Sequence, residues 1–475
     1  MRPRSLGDVA RHMSGELVSG DPTALTNGAA IDTRALRDGE LFFALPGSRV
    51  HGAKFVPQAW RVGAAAVVVD ELAAPELAPL ARATGFALIV VPDGQRALAR
   101  LAEAVRAEER DSLPAIAITG SVGKTTTCGY AATLLSGVGV AHRPPSSFNN
   151  QLGVPLTILS APAKADYLVC EVGTNSAGEV FRLASWVRPK VAIVTAVAPA
   201  HLLGFGTLDA IELEKLSILD ALEPTGSGWI PADLALRHQS LLRSCRARVK
   251  TIGENGDLRV TPVDGANDPD FYQLSYAGAT HEFRWHAPFR HSVRNLEAAL
   301  AAGLGVGVAI EALLERVGML SNAPLRGDVE QHAGVEFLLD CYNASPASLE
   351  SAIERLETEP ATGRRVCVIG TMEELGTEER TWHQRLGERL ASPRVDAVYL
   401  LGRGRDWYQS GLRACGREGE TLANDSSSAE RLASALRPGD RVLFKASRRE
   451  ALETFAQRVA GLLEAPVEHA TSRRG

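Results

Sequence analysis

The sequence is short of cysteine, of long apolar runs and of net charge, and each shortage argues against a class of protein. Its 475 residues include 6 cysteines, with no Cys-x-x-Cys pair among them, so neither a disulfide framework nor a structural zinc site is indicated. No apolar run approaches the roughly 20 residues of a membrane-spanning helix. Charged residues interrupt Met1–Val18, which therefore lacks the apolar core of a signal peptide. We expect a cytoplasmic protein without membrane insertion.

The charge balance bears on possible partners. The formal net charge is -5 at pH 7, and the arginines are interleaved with acidic residues, so no basic field is present that would attract nucleic acid. At roughly 100–200 residues per domain, the length predicts about three domains, each able to bury its own core. We expect a monomer whose partners are small molecules.

Short apolar runs alternate with helix-compatible stretches along the chain, which predicts an α/β fold in three domains. Residues 1–108 are predicted to form a small α/β domain. Residues 109–320 are predicted to form a parallel sheet of buried strands, with a small β excursion at Arg248–Phe283. Residues 321–475 have the strand spacing of a doubly wound, Rossmann-like sheet, in which Ala423–Glu430 is predicted to be a polar loop.

The strongest local signal is Ala115–Thr127. The apolar strand Ala115–Ile118 is followed at once by a glycine-containing turn and then by a helix-compatible stretch. This order forms a phosphate cradle, because backbone N–H groups point inward and the helix dipole favours an anion. Lys124 would reach the β- and γ-phosphates of a nucleoside triphosphate, and the Thr125 hydroxyl would hold Mg²⁺. The residues assigned to the loop are Gly120, Ser121, Val122, Gly123, Lys124, Thr125 and Thr126.

Three more residues are expected at the same edge of the sheet. Glu171 ends a predicted strand, where a carboxylate lies beside the phosphate-binding loop and can be a second Mg²⁺ ligand; the alternative is a surface glutamate. His201 follows another strand end, and Lys215 lies on a predicted helix, Leu208–Leu222. Taken alone, a histidine of this kind is more often structural, and a helical lysine is usually solvated.

Polar loops follow other predicted elements. Phe148–Pro155 is rich in amides, which suit an uncharged polar ligand, although an Asn-Asn pair is also common in turns. Asp340–Pro346 follows the predicted strand Val335–Leu339 and places a carboxylate, a phenol and an amide at a sheet edge, where a ribose or a second substrate could bind. Phe444–Arg448 repeats this arrangement near the C-terminus.

In their order along the chain, these segments resemble the Mur ligase family over nearly the whole sequence. The matching segments are Ile31–Arg34, Asp38–Phe42, Ala44–Gly47, Thr119–Thr126, Phe148–Thr157, Glu171–Gly173, Ala200–Phe205, Asp340–Pro346, Glu374–Gly376 and Lys445–Arg448. The resemblance implies an ATP-dependent, ADP-forming ligase of peptidoglycan precursor synthesis. Its expected substrates are UDP-N-acetylmuramoyl-tripeptide, whose carboxylate is activated as an acyl phosphate, and D-alanyl-D-alanine, whose amine attacks it.

The resemblance also implies a role for each domain and for individual residues. Residues 1–108 would bind the UDP substrate through Thr33 and Arg34, joined by Asn149 and Asn150 of the next domain. Residues 109–320 would bind ATP and two Mg²⁺ ions, and residues 321–475 the amine. The implied catalytic residues are Lys124, His201 and Lys215. The implied metal ligands are Thr125, Glu171, His201 and Lys215, the last as a carbamylated lysine that offers an anionic oxygen. The implied ATP contacts outside the loop are Asn295, Arg326 and Asp340. The implied amine-substrate residues are Tyr342, Asn343, Lys445, Ser447 and Arg448.

The chain departs from the family pattern at several positions, while it keeps the ATP and metal ligands. It has His51-Gly52-Ala53 for Asp-Gly-His, and it has Ser217, Ser292, Thr371 and Ala446 for Glu, Asn, Asp and Gly. Two alternatives therefore stay open: a related ligase with other substrates, as in specialised metabolism, and a nucleotide-binding protein without turnover. Asp32-Thr33-Arg34 argues against a folate-type ligase, which lacks the uridine domain.

Overall fold

The computed structural model describes residues 1–47, 50–109, 112–144, 147–198, 205–263, 268–287 and 292–465. The chain divides into two compact units. One contains a five-stranded and a nine-stranded sheet, and the other, formed mainly by the chain from Ser321 onward, contains a six-stranded sheet. Within the described ranges, no helix combines the length and the hydropathy needed to cross a membrane. The predicted α/β class is confirmed.

The first sheet is small and mostly parallel. Its region contains β1 (Arg4–Ser5), β2 (Glu16–Ser19), β3 (Leu25–Thr26), β4 (Ala29–Ala30), β5 (Leu41–Phe43), β6 (Ala66–Asp70), β7 (Leu88–Val91), α1 (Leu6–His12), α2 (Val56–Val62), α3 (Ala74–Thr84) and α4 (Gly94–Glu109). The strand order is β2-β7-β6-β5-β4, and only β2 runs antiparallel to its neighbour. The β6 sequence Ala-Val-Val-Val-Asp is buried at every position, as expected for a parallel strand covered on both faces.

The second sheet contains the nucleotide-binding motif. Its region contains β8 (Ala115–Thr119), β9 (Ala141–His142), β10 (Tyr167–Glu171), β11 (Val191–Val194), β12 (Ser227–Pro231), β13 (Arg248–Ile252), β14 (Leu258–Pro262), β15 (Phe271–Tyr276), β16 (Ala279–Arg284), α5 (Lys124–Leu135), α6 (Gly153–Leu159), α7 (Glu179–Val187), α8 (Leu208–Leu216), α9 (Ala232–Arg237), α10 (Gln239–Ser244), α11 (Ser292–Gly305) and α12 (Ile310–Leu314). The order is β16-β15-β14-β13-β12-β11-β8-β10-β9.

Two features of this order matter for the site. Strand β8 lies between β10 and β11, parallel to both, so the residues that follow the three strands meet at one edge. The β excursion predicted at Arg248–Phe283 is confirmed as β13 to β16, of which the last three pair antiparallel and extend the sheet. The predicted helix Leu208–Leu222 is shorter than expected, because residues Ser217–Ala221 continue it as a 3-10 turn.

The third sheet has the predicted doubly wound form. Its region contains β17 (Asp328–His332), β18 (Val335–Leu339), β19 (Arg365–Ile369), β20 (Ala397–Leu400), β21 (Glu420–Thr421), β22 (Arg441–Lys445), α13 (Pro346–Thr358), α14 (Glu379–Leu390), α15 (Arg405–Ala414), α16 (Ser426–Ala435) and α17 (Leu452–Glu464). The order is β17-β18-β22-β19-β20-β21, with all neighbours parallel except β17 and β18.

The prediction of a polar loop at Ala423–Glu430 is wrong, because α16 begins within it. The Asp425 side chain caps this helix by accepting a hydrogen bond from the Ser428 N–H at 2.8 Å. Ala429 and Leu432, spaced for one helix face, are fully buried against the sheet. A capping residue followed by apolar residues at helical spacing therefore outweighs the run of serines.

Candidate active site

The phosphate-binding loop between β8 and α5 has a backbone that only glycine can adopt at two positions. Gly120 and Gly123 have φ values of 147° and 88°, in the region that favours glycine. A Cβ on Gly120 would lie 2.0 Å from Thr195 Oγ1, and one on Gly123 would lie 2.3 Å from Asn295 Oδ1. The loop therefore presents its amide groups and the N-terminus of a 12-residue helix to an anion.

The Lys124 side chain lies over this loop. Its ammonium donates hydrogen bonds to the carbonyl oxygens of Gly120 at 2.7 Å and Ser121 at 3.2 Å. A cation held at the mouth of an anion-binding loop fits a triphosphate, as the sequence predicts.

Thr195, which the sequence reasoning did not single out, fixes the loop from the neighbouring strand. Its hydroxyl donates a hydrogen bond to the Val122 carbonyl at 2.6 Å, and the Ala196 carbonyl accepts one from the Ser121 N–H at 2.8 Å. The only sequence signal for Thr195 is its position directly after the apolar run of β11.

The structure brings the predicted metal-binding oxygens together. Thr125 Oγ1 donates to Glu171 Oε2 at 2.8 Å and lies 2.9 Å from Ser147 Oγ. Asn149 Nδ2 donates to the other oxygen of Glu171 at 2.7 Å. Glu171 is buried, and among the described side chains no lysine or arginine lies within ion-pair distance of it. A buried carboxylate with no neighbouring cation, next to hydroxyl oxygens, fits a hard divalent cation such as Mg²⁺.

Lys215 is buried, contrary to the usual behaviour of a helical lysine. Its side chain is 1 % exposed, and no described carboxylate lies within ion-pair distance of its amine. Burial first, and then the nearby charge of Lys124, hold the pKa of Lys215 well below its ordinary value. The neighbouring Glu214 does not neutralise it, because that carboxylate accepts hydrogen bonds from the backbone N–H groups of Gly178 and Val180 at 2.7 and 2.8 Å. Burial therefore disfavours the charged form of this amine.

His201, the remaining predicted metal ligand, lies outside the described residues. Asn295 lies on α11 beside the loop, where its side-chain oxygen accepts a hydrogen bond from the Thr127 hydroxyl at 3.4 Å. The structure therefore places Asn295 next to the phosphate-binding loop.

The other predicted substrate residues of this unit are engaged locally. Asn150 Oδ1 accepts hydrogen bonds from the N–H groups of Leu152 and Gly153, at the start of α6. Arg34 is exposed and forms a bidentate pair with Asp32, with Nε–Oδ1 and Nη2–Oδ2 distances of 3.0 and 2.5 Å, while Thr33 between them is buried. Asn150 therefore stabilises the turn before α6, as an asparagine in a turn commonly does. The pair with Asp32 orients the Arg34 side chain on the loop after β4.

In the second compact unit, the predicted residues gather at the carboxyl ends of β18 and β22. The Lys445 ammonium donates to Asp340 Oδ2 at 2.7 Å and to the Asn343 carbonyl at 3.1 Å. Lys445 is only 1 % exposed, so it lies beneath this edge and orients Asp340. The guanidinium of Arg326 stacks on the Tyr342 ring at 4.3 Å, and that of Arg448 lies 5.9 Å from the same ring.

The fold and the loop first define a class: the chain is an α/β protein with a P-loop, the kind of loop that binds the phosphate groups of nucleotides. Comparison with sequence families then identifies it more closely. The family models described as Mur ligase family, catalytic domain, Mur ligase middle domain, and Mur ligase, glutamate ligase domain match residues 26–106, 118–303 and 326–460. The chain belongs to the Mur ligase family.

Individual relatives agree over nearly the full length. The UDP-N-acetylmuramoyl-tripeptide–D-alanyl-D-alanine ligase of Bacillus subtilis is 30% identical, over 98% of this chain and 100% of that protein. The crystal structure of MurF from Acinetobacter baumannii superposes with a TM-score of 0.82 at 27% identity, over 97% of this chain and 99% of that one. The crystal structure of MurF from Thermotoga maritima in complex with ADP superposes with a TM-score of 0.75 at 26% identity, over 92% of this chain and 98% of that one.

Proposed function

We propose that this chain is the ATP-dependent ligase that joins D-alanyl-D-alanine to UDP-N-acetylmuramoyl-tripeptide in peptidoglycan precursor synthesis. The observation that carries the proposal is the Thr125–Glu171 oxygen pair beside the Lys124 loop, in a chain that aligns end to end with relatives of that name. The proposed setting is the cytoplasm, with the chain as a monomer.

Each charged group of the site has a role in the proposed reaction. A carboxylate is a poor electrophile, and phosphorylation by ATP with bound Mg²⁺ turns one of its oxygens into a leaving group. Lys124 and the amides of the loop neutralise charge on the transferring phosphoryl group. Thr125 and Glu171 would hold one Mg²⁺ ion. The amine of buried Lys215, in its unprotonated form, would add to CO₂ with loss of one proton to give a carbamate, and the carbamate oxygens together with His201 would hold a second Mg²⁺ ion.

We further propose that the predicted boundaries, 1–108, 109–320 and 321–475, separate domains for the UDP substrate, for ATP and for the amine. Thr33, Arg34, Asn149 and Asn150 would then serve the UDP substrate, with Asn150 also fixing the loop before α6. Asn295, Arg326 and Asp340 would contact ATP. The residues proposed for the amine side are Tyr342, Asn343, Lys445, Ser447 and Arg448, with Lys445 acting through Asp340.

The test is phosphate release from ATP by the purified chain. UDP-N-acetylmuramoyl-tripeptide and D-alanyl-D-alanine are supplied together and singly, and the product is weighed by mass spectrometry. We expect release only with both substrates, and a product heavier than the tripeptide substrate by the dipeptide less water. Release with a different acid–amine pair, and none with this pair, would replace the proposal by a ligase of other specificity.

A further inference from the structure

The strand order of the third sheet predicts a crevice between β19 and β22. These strands are parallel neighbours, but α14, which follows β19, and α17, which follows β22, pack on opposite faces of the sheet. Ligands of open α/β sheets bind where successive connections leave in opposite directions, beyond the carboxyl ends of the strands. The residues at this point are Gly370 and Thr371 after β19, and Ala446 to Glu450 after β22.

Glu450 places an uncommitted carboxylate in this crevice. Among the described residues, its side chain makes no hydrogen bond and no ion pair, whereas three cations of the same unit have carboxylate partners. Lys445 pairs with Asp340, Arg448 with Glu453 and Arg403 with Glu373. A negative charge that is partly buried and lacks a cation is costly unless a ligand supplies one.

The backbone is shaped to admit this carboxylate. Gly402, after β20, has a φ of 74°, and a Cβ there would lie 2.1 Å from Glu450 Oε1 and 2.4 Å from Thr371 Oγ1. A side chain at Gly402 would therefore displace both oxygens, and the positive φ itself favours glycine. Thr371 Oγ1 accepts a hydrogen bond from the Gly404 N–H at 3.2 Å, which fixes the hydroxyl beside the carboxylate.

Ser447 adds a second unsatisfied group. It is 2 % exposed, and its hydroxyl has no hydrogen-bond partner within the described part of the chain. Its backbone N–H donates to the Thr371 carbonyl at 3.0 Å, and its carbonyl accepts from the Glu450 N–H at 3.1 Å, so Ser447 links the two sides of the crevice. A buried hydroxyl without a partner is rare in native proteins and calls for a ligand.

We propose that Glu450, supported by Thr371 and Ser447, binds the ammonium group of the incoming amine substrate and selects for a free primary amine. The inference rests on the proposed function, since it names the group that receives the second substrate. A primary ammonium has three donors and no acceptor, which complements a carboxylate and two hydroxyl oxygens. Charge-assisted hydrogen bonds of this kind are about twice as strong as neutral ones.

The kinetic test replaces Glu450 by glutamine, which keeps the shape and removes the charge. With whichever acid–amine pair the wild type ligates, Glu450→Gln is expected to raise the KM for the amine about tenfold or more, with the KM values for ATP and the acid unchanged. Glu450→Asp should recover part of the loss. Glu430→Gln, on exposed α16 surface of the same sheet, is the matched control. An unchanged amine KM, or equal changes for all three substrates, would overturn the proposal.

A binding test separates this inference from the proposed activity, because it needs no turnover. D-Alanyl-D-alanine and its N-acetyl derivative are titrated into the full chain by calorimetry, with ADP and Mg²⁺ present. The wild type is expected to bind the free dipeptide and not the acetylated one, and Glu450→Gln to lose that preference. If the wild type binds both alike, the ammonium site is wrong even where ligase activity is found. If it discriminates without ligating this pair, only the proposed activity is wrong.

Discussion

At the scale of single residues, buried Lys215 makes stability depend on pH. Burial places its folded-state pKa below the unfolded value of about 10.4, so between the two values the unfolded chain binds more protons and stability rises with pH. Lys215→Met removes the buried amine. In CO₂-free buffer we expect the variant to be more stable than the wild type at pH 7, by a margin that shrinks as the pH approaches 10. Urea unfolding at several pH values measures this, and a constant margin would contradict it.

The same residue is expected to bind CO₂. Incubation with ¹³C-bicarbonate should give the wild type a carbamate ¹³C resonance that is absent from Lys215→Met. The variant should lose at least about 100-fold in ligase activity, since a proposed metal ligand is removed. Bicarbonate should not restore the variant. Near-normal turnover of Lys215→Met would remove the residue from the mechanism.

Glu171 tests the metal site. Glu171→Gln keeps a side chain that can accept from Thr125, 2.8 Å away in the wild type, but removes the anionic ligand. Activity is expected to fall about 100-fold, and the Mg²⁺ concentration for half-maximal activity to rise about tenfold. The free energy of unfolding of Glu171→Gln should be equal to or higher than that of the wild type, because the variant lacks a buried charge. The ligase rate is measured at increasing Mg²⁺ concentration for the wild type and for Glu171→Gln. Glu315→Gln, at an exposed site in the same unit, is the control. Identical Mg²⁺ dependence in Glu171→Gln and the wild type would argue against Glu171 as a metal ligand.

At the scale of elements, helix α5 has one glycine at its N-cap and one in its interior, and the two should respond oppositely to alanine. Gly123, at the N-cap with φ 88°, has Asn295 Oδ1 2.3 Å from its missing Cβ, whereas Gly129, inside the helix, has no atom within 4 Å. Gly123→Ala should cost roughly 1–3 kcal/mol and weaken nucleotide binding. Gly129→Ala should stabilise by roughly 0.5–1 kcal/mol and leave binding unchanged. Denaturant unfolding and ATP titration compare the two; equal effects would contradict the loop geometry.

Local patterns predict most elements because burial follows the period of the sequence. The strand Val335–Leu339 is found as expected, and the β8 loop is recognisable from its glycines. The α16 helix was not predicted, because three serines conceal a capping aspartate and an apolar helix face.

Side-chain environments are predicted less well, because they depend on contacts between distant segments. The sequence treats Lys445 as facing a ligand, but the fold buries it against Asp340, 105 residues away. In the same way, no local signal identifies Thr195 as the residue that fixes the loop, or Glu450 as an unpaired carboxylate. Such environments follow from which strands become neighbours, and the local pattern does not encode that order.

At the scale of the whole molecule, the first two sheets share one hydrophobic core, and a buried arginine joins them. Arg106, at the end of α4, is 1 % exposed. Its guanidinium donates to the carbonyls of Val187 at 2.8 Å and Arg188 at 3.4 Å, at the end of α7, and to that of Leu113 at 2.9 Å, before β8. Burial lowers the pKa of Arg106, but the group stays charged because arginine does not deprotonate in proteins.

Replacing Arg106 should therefore lower the stability of the unit that contains the first two sheets. Arg106→Met leaves three carbonyl groups without their donor, and each unsatisfied buried group costs about 1–3 kcal/mol. We expect the free energy of unfolding to fall by about 3 kcal/mol or more, and both sheets to unfold at lower temperature together, because they share a core. Arg100→Met, at an exposed position of the same helix, should have little effect. Calorimetry combined with hydrogen exchange of β6 and β8 follows each sheet. If β6 alone lost protection in Arg106→Met while β8 kept it, the two sheets would unfold independently, and the shared core would not couple their folding.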